Sequence, residues 1–433
     1  MKILEGLFQM LRTACKSLPD KRTGKNTRYS MADIGMAAFS LFFMQNESFL
    51  QHQRLLESED GESNCRTLFG MENIPTDNHI RNMLDGVPPD HFNHLFEKNL
   101  RTLDQENALS SFRKLDGHIL IALDGTEHFS SYDIHCDNCS HRERSNGKTE
   151  YHHTFLGATI VAPGHNQVIP LPPEFVTPQD GHEKQDCESC AARRWLQKHG
   201  ATYAPYQPIY LGDDLFAKQP LCKAVQQIGG NFIFTCKPDS HKTIIEYLQG
   251  TTYAERIDTV MIPGRGKRTY HYRWVCGIPI RDSDDAMDVN WFEITISDGK
   301  GKVTYHNSYV TDLDINHENI AEVAACGRSR WKIENETFNV LKNNGYHLEH
   351  NFGHGSTTLA SVLVVLNLLA FAFHTTCDLA ETLWQSARES WKVRHRFFWR
   401  LWSMTTFRVF SSWDELMRVF IGTRSPRRAV RSG

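Results

Sequence analysis

The sequence predicts an α/β protein built on a mixed sheet with flanking helices, a β-rich insertion and a helical N-terminal region. Three observations predict it. Two short apolar runs, 119–123 and 208–212, read as buried strands, and each closes on acid, at Asp124 and at Asp213-Asp214. Strand-like and helix-like segments follow one another around them, as in a sheet layered with helices. Residues 330–342 have helical spacing, with Trp331, Glu334, Phe338 and Leu341 on one face at about 100° per residue. That face is apolar except for Glu334. Burying an unpaired carboxylate is costly, so it implies a cationic partner, a raised pKa or a bound metal ion.

From the N-terminus to about residue 110 the pattern is helical. Ser30 with Asp33 resembles a capping box, Ser48 precedes a second helix, and Thr76 caps a third over 76–84. Asn78 and Arg81 on that third helix are candidates to read base edges, against a plain surface helix. After the Asp124 strand come strand-like runs at 154–162 and 167–172, separated by the turn Pro163-Gly164-His165-Asn166. A helix over 187–199, the Asp213 strand, a helix over 220–227 and a strand over 231–236 complete the series. Three strands, helix, strand, helix, strand and a later helix is the element order of a ribonuclease H-like domain. In that order, acids from the first strand, the fourth strand and the late helix meet at one sheet edge.

The long stretch 240–312 is rich in Tyr, Trp, Val, Ile and Thr, and Asp298-Gly299-Lys300-Gly301 is a hairpin signal. It is read as a β-rich insertion in which Arg268, Arg273 and Trp274 would suit phosphate contact and base stacking. The domain reading is therefore 1–110 helical and DNA-binding, 111–239 plus 313–385 ribonuclease H-like, 240–312 insertion, and 386–433 a basic aromatic end. Residues 356–377 contain no Asp, Glu, Lys or Arg and are long enough to span a bilayer, but they follow the Glu334 helix closely. They are read as a buried core helix.

The motifs Leu123-Asp124-Gly125-Thr126-Glu127, Gly212-Asp213-Asp214-Leu215-Phe216 and Arg330-Trp331-Lys332-Ile333-Glu334-Asn335 together resemble bacterial insertion-sequence transposases of the DDE class. The stretches 177–187 and 346–355 add to the resemblance, which covers nearly the whole chain. It implies that Asp124, Asp213 and Glu334 are catalytic and hold two Mg2+ (or Mn2+) ions. Asp124 would bridge both. It implies cleavage at element ends and strand transfer into target DNA, with Arg330 and Lys342 on DNA, terminal inverted repeats as partner and a homodimer in the complex. The chain departs from the pattern at Gly327, where relatives often carry tyrosine, and at Leu341, which stands where they have the lysine. Singly, each acid has an ordinary reading: Asp124 in a turn, Asp213 in a loop or cap, Glu334 paired with Arg330. Two functional alternatives stay open, a catalytically silent transposase-derived DNA-binding protein and a nuclease without strand transfer.

Eleven cysteines and no signal peptide point to a reducing cytoplasm, and the resemblance implies a bacterial, nucleoid-associated setting. Cys136/Cys139 and Cys187/Cys190 form two Cys-x-x-Cys pairs that would meet around a structural Zn2+ or stay free thiols. Net charge is −3, unevenly spread: residues 1–30 carry seven Lys/Arg against two Asp/Glu, and 388–433 eleven against three. Basic ends on an acidic middle suit a protein that grips DNA peripherally and holds cations centrally.

Overall fold

The structure, a computed structural model, describes residues 1–24, 27–178, 186–264 and 266–422. The basic stretch 424–431 and most of the 177–187 motif lie outside them. Eleven strands form one mixed sheet. They are β1 (Ile119–Ser131), β2 (Ser140–Glu143), β3 (Thr149–Val161), β4 (Ile169–Pro170), β5 (Glu174–Val176), β6 (Pro208–Gly212), β7 (Asn231–Thr235), β8 (Ala254–Ile262), β9 (Gly266–Pro279), β10 (Asp288–Asp298) and β11 (Val303–Thr311). Their spatial order is β2-β3-β1-β6-β7-β11-β10-β9-β8, with β4 and β5 also paired to β3. β1 runs antiparallel to β3 and parallel to β6, which in turn runs parallel to β7.

Residues 119–123 are all buried, because helices cover both faces of the sheet there; a continuous apolar run is what such a strand requires. The run at 167–172, expected as one strand, pairs only over the two residues of β4, and β5 begins beyond it. Pro170, Pro172 and Pro173 remove three ladder donors in four residues. Asp298 closes the β10–β11 hairpin, its Oδ1 accepting from Lys300 N at 2.9 Å and Lys302 N at 3.0 Å. The strands between 254 and 311 join the rest of the sheet through the antiparallel pairing of β11 with β7.

Six helices precede the sheet: α1 (Lys2–Lys16), α2 (Met31–Phe43), α3 (Phe49–Leu56), α4 (Glu59–Phe69), α5 (Asp77–Leu84) and α6 (Asn93–Gln105). Ser30 Oγ caps α2 by accepting from Asp33 N at 3.0 Å, and Ser48 caps α3 in the same way through Gln51 N at 3.1 Å. Three helices are interleaved with the strands, α7 (Glu188–Tyr203), α8 (Gln219–Gln227) and α9 (Lys242–Leu248), and α10 (Ile320–Arg328) follows the last strand. A π-helical turn, Ile333–Phe338, leads into α11 (Asn339–Asn343), and α12 (Leu359–Ala380), α13 (Thr382–Ser390), α14 (Arg394–Phe407) and α15 (Trp413–Gly422) follow.

Most of the uncharged segment lies in α12, and 89% of the helix's most apolar 18 residues are buried inside the protein. Around it the first and last helices share one core. Trp413 of α15 lies 5.3 Å from the Phe43 ring and 5.7 Å from Phe8, and its Nε1 donates to Leu68 O at 2.8 Å.

Two histidines in this core should make it acid-sensitive. Burial pushes His52 down to about 3, and burial with Arg394 and Arg388 holds His374 well below its usual value. Below pH 6.5 the unfolded chain takes up protons that the folded one refuses, so stability is lost as pH falls. Each histidine contributes up to about 1.4 kcal/mol per pH unit in that range. Urea midpoints measured between pH 7 and 4.5 should fall accordingly, and more shallowly in His52→Gln. Equal slopes would contradict the assignment.

Candidate active site

Strand register brings the two aspartates together. Ala122 on β1 is level with Leu211 on β6, so two residues further on Asp124 stands beside Asp213, just past the end of β6. β1 does not stop at its acid, as the sequence suggested; it continues along β3 to Ser131, with Asp124 opposite Gly157. Gly212 has no side chain, and a Cβ there would lie 2.6 Å from the Phe216 ring. That close approach folds the 213–216 turn back on the strand end. Asp213 Oδ1 accepts from Leu215 N at 2.9 Å inside the turn. Asp214 is spent elsewhere: its Oδ1 accepts from Lys237 N at 2.6 Å and lies 3.2 Å from His241 Nε2.

The third acid arrives on the π-helical turn. Phe338 lies over Gly157, where a Cβ would meet its ring at 2.8 Å, so the bare glycine lets the turn close on the sheet across from Asp124. Arg330, just before the turn, reaches both acids: Nη1 donates to Asp124 Oδ2 at 3.1 Å, and Nη2 lies 2.8 Å from Glu334 Oε1. The sequence pattern placed Glu334 on a buried face, and the structure corrects this. The Glu334 side chain is 49% exposed and Trp331 is exposed too. Wider i→i+5 winding turns less than 100° per residue, so a face assigned at α-helical spacing slips; π turns of this kind are frequent at functional sites. Of the two acids that Arg330 holds, Asp124 is the more enclosed, its side chain 15% exposed.

A fourth carboxylate, not singled out in the sequence, joins them. Glu188 in the first turn of α7 packs against the bare Cα of Gly125, where a Cβ would lie 2.1 Å from Oε1. Its sequence signal was hidden between Cys187 and Cys190. Burial, followed by the charges of Glu334, Asp213 and Glu188, pushes Asp124 up to about 7 against the opposing guanidinium of Arg330. Burial and Asp213 raise Glu188. Burial works against the charge on Arg330, but Asp124 and Glu334 outweigh it and raise its pKa.

Four carboxylates thus gather at this sheet edge, and one guanidinium pairs with two of them. The donors are all oxygen, which suits a hard divalent cation such as Mg2+, and Arg330 already places positive charge between Asp124 and Glu334. No protein-family model and no curated protein matches the chain. A solved piggyBac transposase synaptic complex with hairpin DNA is similar to it. The two share 11% identity at a TM-score of 0.41, over 99% of this chain and 80% of that one.

The residues expected to face DNA divide sharply. Asn78 is exposed. Arg81 is half-buried, stacked over Phe49 at 5.3 Å and 3.6 Å from Asp77. Lys342, off the acidic cluster, pairs with Glu349 at 2.8 Å. Arg268 is half-buried on β9. Arg273 is engaged by Glu293, with Nε donating to Oε1 at 2.6 Å, and stacks over Tyr253. Trp274 is 6% exposed and belongs to the core, so its ring is not available to stack on a base.

The expected meeting of the two cysteine pairs does not occur. Cys187 and Cys190 flank the start of α7 beside Gly125, whereas β1 runs six residues beyond Gly125, roughly 20 Å, before it reaches the turn holding Cys136 and Cys139. Cys136 and Cys139 instead gather with His153 and His354.

Proposed function

We propose that this chain is a DDE-class transposase that cuts DNA at the ends of its element and joins the freed strand to target DNA. One observation carries the reading: Asp124, Asp213 and Glu334 converge from a central strand, the end of its parallel neighbour and a later helical turn. The order β3-β1-β6-β7, antiparallel then parallel, supports a ribonuclease H-like arrangement for this part of the sheet. Asp124, Asp213 and Glu334 would hold divalent cations, Mg2+ or Mn2+, with Asp124 shared and Glu188 beside it. Such ions supply activation of the attacking oxygen and stabilisation of the leaving oxygen in an in-line displacement at phosphorus.

The chain's own groups set the stage for that chemistry. Arg330 holds Asp124 and Glu334 in place, and Asp213 is fixed by its own turn. Burial raises the Asp124 carboxyl to about 7, and a bound divalent cation would favour its charged form. Hydrolysis of one phosphodiester leaves a 3′-hydroxyl. In the second step that hydroxyl attacks a target phosphodiester, the new P–O bond replaces the bond to the departing 3′-oxygen, and the proton passes to that oxygen. No covalent link to the protein is needed. A pair of chains would hold the two element ends, in the bacterial nucleoid.

Linear DNA carrying the gene's own flanks, incubated with the protein and Mg2+ or Mn2+, tests this. Defined cuts at both flanks together with joined products are expected. Cuts without joining would reduce the reading to a nuclease, and binding without cuts would overturn it in favour of a silent DNA-binding protein.

A further inference from the structure

Beyond the end of β1 four soft ligands meet at one point. Cys136 and Cys139 lie on the turn between β1 and β2, His153 is on β3, and His354 lies between α11 and α12. Cys139, His153 and His354 are buried and Cys136 is half-buried. Their ligating atoms all fall within 4.8 Å of one another. Sγ to Sγ is 4.0 Å; Cys136 Sγ to His153 Nε2 is 3.6 Å; Cys139 Sγ lies 3.3 Å from His153 Nε2 and 3.4 Å from His354 Nε2. The two Nε2 atoms are 3.1 Å apart.

These edges are those of a coordination tetrahedron. Zinc–sulfur bonds of about 2.3 Å and zinc–nitrogen bonds of about 2.05 Å at tetrahedral angles require edges of about 3.8 Å (S···S), about 3.6 Å (S···N) and about 3.4 Å (N···N). The measured edges agree to within about 0.3 Å. The outer contacts agree as well. His354 Nδ1 lies 2.8 Å from Gly355 O, which accepts its proton and leaves Nε2 with a lone pair for a metal. The backbone N–H of Cys136 donates to Cys139 Sγ at 3.5 Å, supporting a thiolate. With no cation, two imidazole nitrogens and two sulfurs would crowd together inside the protein with little to satisfy them.

We propose that Cys136, Cys139, His153 and His354 bind one Zn2+ in a closed structural site. Two thiolates with two imidazoles select zinc over Mg2+, and four protein ligands leave no position open for substrate. The ion would sit away from the acidic cluster, since His153 is four residues along β3 from Gly157, roughly 13 Å. Its role is to join parts of the chain that lie far apart in sequence. The segment 344–358 leaves the Glu334-bearing turn and α11 and ends at this site. There Asn138 Nδ2 donates to Thr357 O at 2.7 Å, and Asp85 at the end of α5 accepts from Ser356 N, Thr357 N and Thr358 N at 2.9–3.0 Å. Zinc would complete a joint between the sheet, that segment and the N-terminal helices. The proposal stands whether or not the chain cuts DNA.

The test is the metal content of the full-length protein purified without chelator. About one zinc per chain is expected, retained in Cys187→Ser/Cys190→Ser and at least about fivefold lower in Cys136→Ser/Cys139→Ser and in His354→Gln. Should those variants fail to fold, the wild-type protein decides: exchange with Co2+ should give the intense visible bands of a tetrahedral site with two thiolates. Folded wild-type protein without zinc, zinc that survives loss of Cys136 and Cys139, a Cys136–Cys139 disulfide, or a weak octahedral cobalt spectrum would each overturn the proposal.

Discussion

Asp124→Asn should lose metal-dependent DNA cleavage by about a thousandfold or more while folding at least as stably as the wild type. The first half follows from the chemistry. An acid that holds the reacting cations, the role proposed for Asp124, contributes several kcal/mol to the transition state, and each 1.36 kcal/mol is a factor of ten. The second half follows from the geometry. Asp124 is half-buried and feels the charges of Glu334, Asp213 and Glu188, and its carboxyl is raised to about 7 in the metal-free protein. A carboxyl raised above its unfolded value of about 3.9 keeps its proton in the fold while the unfolded chain gives it up, so stability is lost as pH rises from about 4 to 7. Asparagine removes that loss. Relative to the wild type, the variant should gain on the order of 1 kcal/mol at pH 7 without metal. Excess Mn2+ should reverse the order by stabilising only the wild type, by about 2.7 kcal/mol at a hundred times Kd. Thermal midpoints at pH 5 and 7, with and without Mn2+, measure all of this; an inactive variant that is also strongly destabilised would mean that Asp124 is structural.

Gly157→Val should damage both stability and activity. Any Cβ at this position meets the Phe338 ring at 2.8 Å, and valine adds two methyl groups. Overpacking of this kind costs about 1–3 kcal/mol. The same push lifts the turn that carries Glu334, and a displacement of about 1 Å at a reacting centre can cost about a hundredfold in rate. Gly157→Ala should show a smaller version of both effects, and Phe338→Leu should partly restore it by making room. Cleavage by Gly157→Val at the wild-type rate would show that the Phe338 contact does not set the position of Glu334.

How much of this was legible in the sequence differs from residue to residue. Asp124 and Asp213 could be found because a short apolar strand ending in acid is a local pattern, and strand register then sets them side by side. Glu334 was found for a reason the structure overturns, since the π winding that exposes it cannot be seen at α-helical spacing. Glu188 and Gly157 carry no local signal. Their importance comes from what packs on them, Gly125 and Phe338, from other parts of the chain. The Cys/His quartet shows the same limit most plainly. Cys136 and Cys139 announce a metal site, but the partner His354 lies more than two hundred residues away and is brought there only by the tertiary fold. Trp274 errs in the opposite direction, because an aromatic in a basic run reads as a nucleic-acid contact until packing places it in the core.

The central claim is that Asp124, Asp213 and Glu334 together form a site for divalent cations. Titration of the purified protein with Mn2+, reading free ion by electron paramagnetic resonance, tests it without reference to any DNA sequence. The account predicts about two bound Mn2+ per chain, lost or severely weakened in Asp124→Asn, Asp213→Asn and Glu334→Gln and unchanged in Glu336→Gln, whose glutamate lies on the same π-helical turn as Glu334. Binding that survives in Asp124→Asn, or no binding by the folded wild-type protein, would contradict it.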